Sequence, residues 1–98
     1  ESVPALDGAI DLAAGGSCPG GTKRNLEWVS PETSFAGKLP EAVRLLLCDA
    51  QTSGGLLVSC PPERASDLAG RLGDAGLLSA EIGGFEPWPG SGPRVRVG

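Results

Sequence analysis

The sequence predicts an α+β fold, a mixed sheet with helices packed on it, and three observations predict it. Apolar residues recur at helical spacing over 40–48 and 62–72. A short apolar run, Leu56-Leu57-Val58-Ser59-Cys60, is bounded by Gly-Gly and Pro-Pro, the pattern of a buried strand. Pro93-Arg94-Val95-Arg96-Val97 alternates strictly, with valines to one face and arginines to the other. A chain of 98 residues supports one modest core, so residues 1–98 read as a single domain.

In chain order, residues 6–14 place Leu6, Ala9, Ile10 and Ala13 on one helix face, with Asp7 as N-cap and Gly15 as the stop. Gly15 to Thr22 is too rich in glycine for regular structure, Lys23 to Val29 extends briefly, and Ser30 to Lys38 reads as loop. Pro40 opens the next helix, whose Leu39, Val43, Leu46 and Leu47 share a face. After the strand at 56–60, the helix over 62–72 carries Ala65, Leu68, Ala69 and Leu72 on one side. An Asp67–Arg71 pair supports it and Gly73 ends it. Ser79 to Glu86 alternates around a Gly83-Gly84 bulge and, after a turn at 87–92, forms a hairpin with 93–97. Strand, helix and strand would make a crossover before that hairpin.

The balance of charge excludes some functions. Six arginines and two lysines are scattered through a chain of net charge −4. Non-specific nucleic-acid binding needs a concentrated positive field, so no nucleic-acid partner is expected. No apolar run reaches the roughly 20 residues that span a bilayer, and no signal segment opens the chain, so a cytoplasmic protein with no membrane partner is expected. Glycine and proline number 16 and 9, but they fall between periodic segments and read as turns. Cys18, Cys48 and Cys60 lack C-x-x-C spacing and are odd in number, so they read as reduced, mostly buried thiols. The absence of Met at the start, together with the loop content, reads as a piece of a longer protein.

No complete active site is written in this chain. Histidine and tyrosine are absent, which removes the commonest general base and the phenol acid. Two glycine segments remain as candidates. Gly20, Gly21, Thr22, Lys23, Arg24 and Asn25 combine free backbone amides with a hydroxyl, two cations and an amide. Such a set suits an anion nest, with Arg24 offering a bidentate fork to phosphate. Gln51, Thr52, Ser53, Gly54 and Gly55 repeat the idea at a helix-to-strand junction. Gly-Gly beside Pro or before a strand is more commonly a tight turn, and spacing alone leaves the anion-binding reading open for both segments. Asp49 reads as a cap on a helix end or on loop amides, or as a lone metal ligand. Trp28 and Trp88 read as partial-core or interface residues.

Cys18-Pro19-Gly20-Gly21-Thr22-Lys23-Arg24-Asn25 and, after a helix, Leu47-Cys48-Asp49-Ala50-Gln51-Thr52-Ser53-Gly54-Gly55-Leu56-Leu57 resemble two motifs of the selenide, water dikinases. The closing Ile82 to Pro87 stretch fits as well, and the likeness covers nearly the whole chain. Ala50 departs from the family, which usually has Pro there. The resemblance implies a partial C-terminal domain of the fold shared with aminoimidazole ribonucleotide synthetase. It implies an enzyme that makes selenophosphate from selenide, ATP and water with Mg²⁺, usually as a homodimer. It also implies that the reactive Cys or selenocysteine, its Lys and the metal-binding aspartates lie in an N-terminal part, so this chain holds no catalytic or metal residue and is inactive alone. The two glycine segments would then lie near the phosphates. A non-catalytic docking module that keeps the fold, with Trp88 and the arginine strand at its contact, is the alternative. A related ATP-dependent enzyme of the same fold fits less well, because of the P-G-G-T-x-R-N segment.

Overall fold

A computed structural model of the chain describes residues 2–98. Four helices and two short strands follow in the order α1 (Ala9–Ala14), α2 (Gly20–Val29), β1 (Thr33–Phe35), α3 (Glu41–Leu47), α4 (Pro62–Asp74) and β2 (Val95–Val97), with a 3₁₀ turn over Ser30–Glu32 after α2. The α+β class is as predicted. The chain divides into two compact units. One comprises Ala5–Thr52 and Glu86–Gly98, the other Ser53–Phe85 with the residues up to Pro4.

The first unit is built on α1 and α3, which pack together. Ala13 on α1 and Ala42 and Leu45 on α3 are its buried apolar residues. The α3 face is therefore centred on Ala42 and Leu45, one position away from the expected Val43, Leu46 and Leu47, and Leu47 is exposed. Leu6, expected on the α1 face, precedes the helix and is solvent-exposed, and Gly8 rather than Asp7 holds the N-cap position.

Both α1 and α4 end in the same hydrogen-bonded cap. Gly16 donates to the Ala13 carbonyl and Ser17 to that of Leu12, with Gly16 at φ +88°. After α4, Gly76 donates to Gly73 and Leu77 to Leu72, with Gly76 at φ +73°. Each is the paired bonding of a Schellman cap, which needs a left-handed residue just beyond the helix. The functional stops are thus Gly16 and Gly76, rather than Gly15 and Gly73.

The sheet differs from expectation. Residues 30–38, expected as loop, supply β1, and β2 pairs with it in parallel in the register Thr33↔Val95, Ser34↔Arg96 and Phe35↔Val97. The ladder is extended by Arg94 donating to Glu32 and Ala36 donating to Val97. An ion pair at 3.2 Å between Arg94 and Glu32 suits that register. Neither 56–60 nor 79–86 is a strand, so the expected crossover and hairpin do not form. Glu86 forms an exposed ion pair with Arg96 of β2 at 3.1 Å across the turn. In that turn Trp88 donates to the Gly92 carbonyl, and the Arg94 guanidinium lies 4.8 Å over its ring.

The second unit is α4 and its flanking chain. Ala65, Leu68 and Leu72 are half-buried on one side as expected, while Ala69 is exposed. Among the described residues Asp67 and Arg71 form no ion pair. No helix among them is long and apolar enough to cross a membrane.

Candidate functional site

The Pro-Gly-Gly-Thr segment is a helix, not a loop. Pro19, in extended conformation, takes the N-cap position of α2, and Gly20 and Gly21 form its first turn. Glycine disfavours a helix interior, but the first turn has backbone amides without intrahelical partners in any case. No side chain caps them. Tertiary anchors hold the helix instead. Thr22 is 2 % exposed and its hydroxyl donates to Asp49 Oδ1. One helical turn on, Asn25 Nδ2 donates to the Cys48 carbonyl at 3.0 Å, satisfying a group left free at the end of α3. Leu26 and Val29 half-bury on the same helix.

Asp49 is the meeting point. One carboxylate oxygen accepts from Thr22 and the other from Gln51 Nε2. It therefore binds two side chains, rather than loop amides or a helix end as expected. The Asp49 tie across 27 residues of sequence leaves no local pattern, which is why sequence reasoning missed it.

Arg24 turns back along α2. A Cβ placed at Gly20 would lie 3.8 Å from its Nη1, and one at Gly21 would lie 3.9 Å from its Nη2. The guanidinium thus stands over the two glycines, at the positive end of the helix dipole. A cation there is unfavourable by itself and favourable beside an anion.

Gly20, Gly21, Thr22, Arg24 and Asn25 therefore lie on one helix, and Thr52 follows directly on the Asp49–Gln51 tie. Ser53, Gly54 and Gly55 belong to the second unit. There the left-handed conformation falls on Ser53 at φ +54°, not on a glycine.

The three thiols are free and half-buried, less buried than expected. Burial raises the Cys48 thiol above its ordinary value of 9.0. An open cavity of about 330 Å³ beside α2 is walled mainly by apolar residues such as Trp28, Val29, Phe35 and Val97, with Asn25, Thr33 and Asp49 among its polar members. Its apolar walls suit no phosphate. Among the described residues no three Cys, Asp or Glu side chains converge to hold a metal ion.

Among the described residues, four helices and a two-stranded parallel sheet make a small α+β module in which a glycine helix start and an aspartate turn are fastened together. No family model matches the chain. Among curated relatives, the selenide, water dikinase of Carboxydothermus hydrogenoformans is 43 % identical over 81 residues, covering 83 % of this chain and 24 % of the relative. Those of Cronobacter sakazakii and Escherichia coli K12 are 36 % and 35 % identical over 97 residues, covering 99 % of this chain and 27 % of each relative. The chain spans about a quarter of the length of these relatives and matches their C-terminal portion. It belongs to the selenide, water dikinase family.

Proposed function

We propose that this chain forms part of the C-terminal domain of a phosphotransferase that makes selenophosphate, AMP and phosphate from selenide, ATP and water. The domain would have the fold shared with aminoimidazole ribonucleotide synthetase, in a homodimeric cytoplasmic enzyme. In this reading the chain contributes phosphate-proximal groups and no nucleophile, and it is inactive alone. The observation that carries the site is the Asp49 tie, which brings the start of α2 and the segment leading to Thr52 into one place. The uncapped amides of α2 and the Arg24 guanidinium over Gly20 and Gly21 support a phosphate there. Thr52, which lies in the same unit as α2, would meet the same substrate from the second motif.

The family's Mg²⁺ does not fit the residues present. Both oxygens of Asp49 are engaged by Thr22 and Gln51, and among the described residues no three Cys, Asp or Glu side chains converge to hold the ion. Its ligands would lie elsewhere in the enzyme.

The test is a chain extended at its N-terminus to the length of its relatives, assayed for selenide-dependent AMP formation from ATP. Activity in the extended chain and none in the 98 residues alone is the expected result. Absence of selenide-dependent AMP from the extended chain would overturn the assignment. Within it, Arg24→Ala should lower kcat/KM for ATP about tenfold, the scale of one lost charge-assisted hydrogen bond. Unchanged kinetics would reduce the α2 start to a structural turn.

A further inference from the structure

We infer that Asp49 is a positioning residue that holds the two motif segments in register, so that the placement of Thr52 depends on its carboxylate. The inference rests on the phosphate-site reading above and goes beyond it, because Asp49 itself touches no substrate.

Three observations carry it. Asp49 follows directly on the last turn of α3, where Asn25 also binds the Cys48 carbonyl, so α2 and the end of α3 are joined at two adjacent points. Thr22 is the only buried polar residue among those described, so its hydroxyl has been withdrawn from water and Asp49, itself half-buried, is its partner. The second carboxylate oxygen takes Gln51 Nε2, whose side chain is otherwise exposed. One carboxylate thus fixes both the residue two ahead of it and the helix start that Arg24 overhangs. Charge-assisted bonds of this kind are stronger than neutral ones and directional, which suits a fastening. Ala50 sharpens the dependence, since without a ring at this position φ is unrestrained and the Gln51 bond must supply the restraint.

The consequence is an energetic coupling between residues that do not touch. If Asp49 places Thr52, then Thr52→Ala is costly only while the tie is intact. In the N-terminally extended chain, Thr52→Ala is expected to lower kcat/KM for ATP about tenfold with Asp49 present, and less than about twofold in an Asp49→Ala background. Gln51→Ala is the second background; its side chain is exposed, so the fold survives its loss, and the same collapse of the Thr52→Ala effect is expected. A Thr52→Ala effect that is equal in all three backgrounds would overturn the positioning role while leaving the phosphate site standing. If Arg24→Ala and Thr52→Ala are both silent with Asp49 present, the phosphate-site reading fails and this inference fails with it.

Discussion

At the scale of single residues, Thr22 matters more than its size suggests. Its hydroxyl is buried and gives its proton to a carboxylate. Thr22→Val keeps the shape and removes the donor, leaving an Asp49 oxygen short of a partner. The expected loss is about 1–3 kcal/mol, toward the lower end because Asp49 is only half-buried and water reaches it. Urea unfolding of Thr22→Val against Thr22→Ser measures it, with Ser expected to stay near the parent. Cys48 carries a pH dependence of known sign. Burial raises its thiol, so the folded protein holds that proton more tightly than the unfolded chain. Stability from this group is full below the ordinary 9.0 and declines as pH rises through the raised value. Cys48→Ala should therefore lose less stability than the parent between about pH 8 and about pH 10, measured by denaturant midpoints. Neither feature is written locally: the residue types were visible, their partners were not.

At the scale of elements, helices were the more legible. The 62–72 periodicity became α4, extended to Asp74, because its spacing is set within a few residues. Its cap shows what the local pattern leaves open. Two glycines lie near the end, and the one that must be glycine is Gly76, at φ +73°. A Cβ there meets nothing within 4 Å, so the cost of Gly76→Ala is conformational alone, about 1 kcal/mol. A fall in helicity and melting temperature for Gly76→Ala, with Gly73→Ala neutral or stabilising, checks it. The α2 start was misread because Pro-Gly-Gly-Thr is also the composition of a turn. Local propensity says turn; burial of Thr22 and the Asn25 bond to α3 override it. The strand expected at 56–60 failed for the opposite reason. A strand requires a neighbour for its amides and carbonyls, and Leu56 instead stands 94 % exposed.

At the scale of the molecule, apolar surface exceeds what either unit covers. In the unit of α4, Leu56, Leu57, Leu77, Leu78 and Phe85 are exposed; in the other, Leu6, Leu12 and Trp28 are. Soluble monomers rarely leave so many large apolar side chains uncovered. A segment that matches a quarter of its relatives' length is expected to find cover in the remainder. The 98-residue chain by itself should therefore self-associate and bind a hydrophobic dye, and the N-terminally extended chain should do neither. Sedimentation and dye fluorescence on both compare them. Leu68→Ala gives a second measure. Half-buried here, it should cost under about 1.5 kcal/mol in the short chain, and about 2–5 kcal/mol if the extension buries it fully. An equal small cost in both would show that α4 stays at the surface.

The sequence by itself determined the α+β class, three of the four helices and the family, because helical periodicity and the two motifs are short-range patterns that survive without a partner. Only the tertiary structure decided that β2 pairs with β1, that Pro-Gly-Gly-Thr begins a helix, and that Asp49 ties Thr22 to Gln51. Each of those joins residues far apart in the chain or overrules a local preference. The physical reason is common to them: a strand ladder, a buried hydroxyl and an engaged carboxylate are each satisfied by a partner that local sequence does not name.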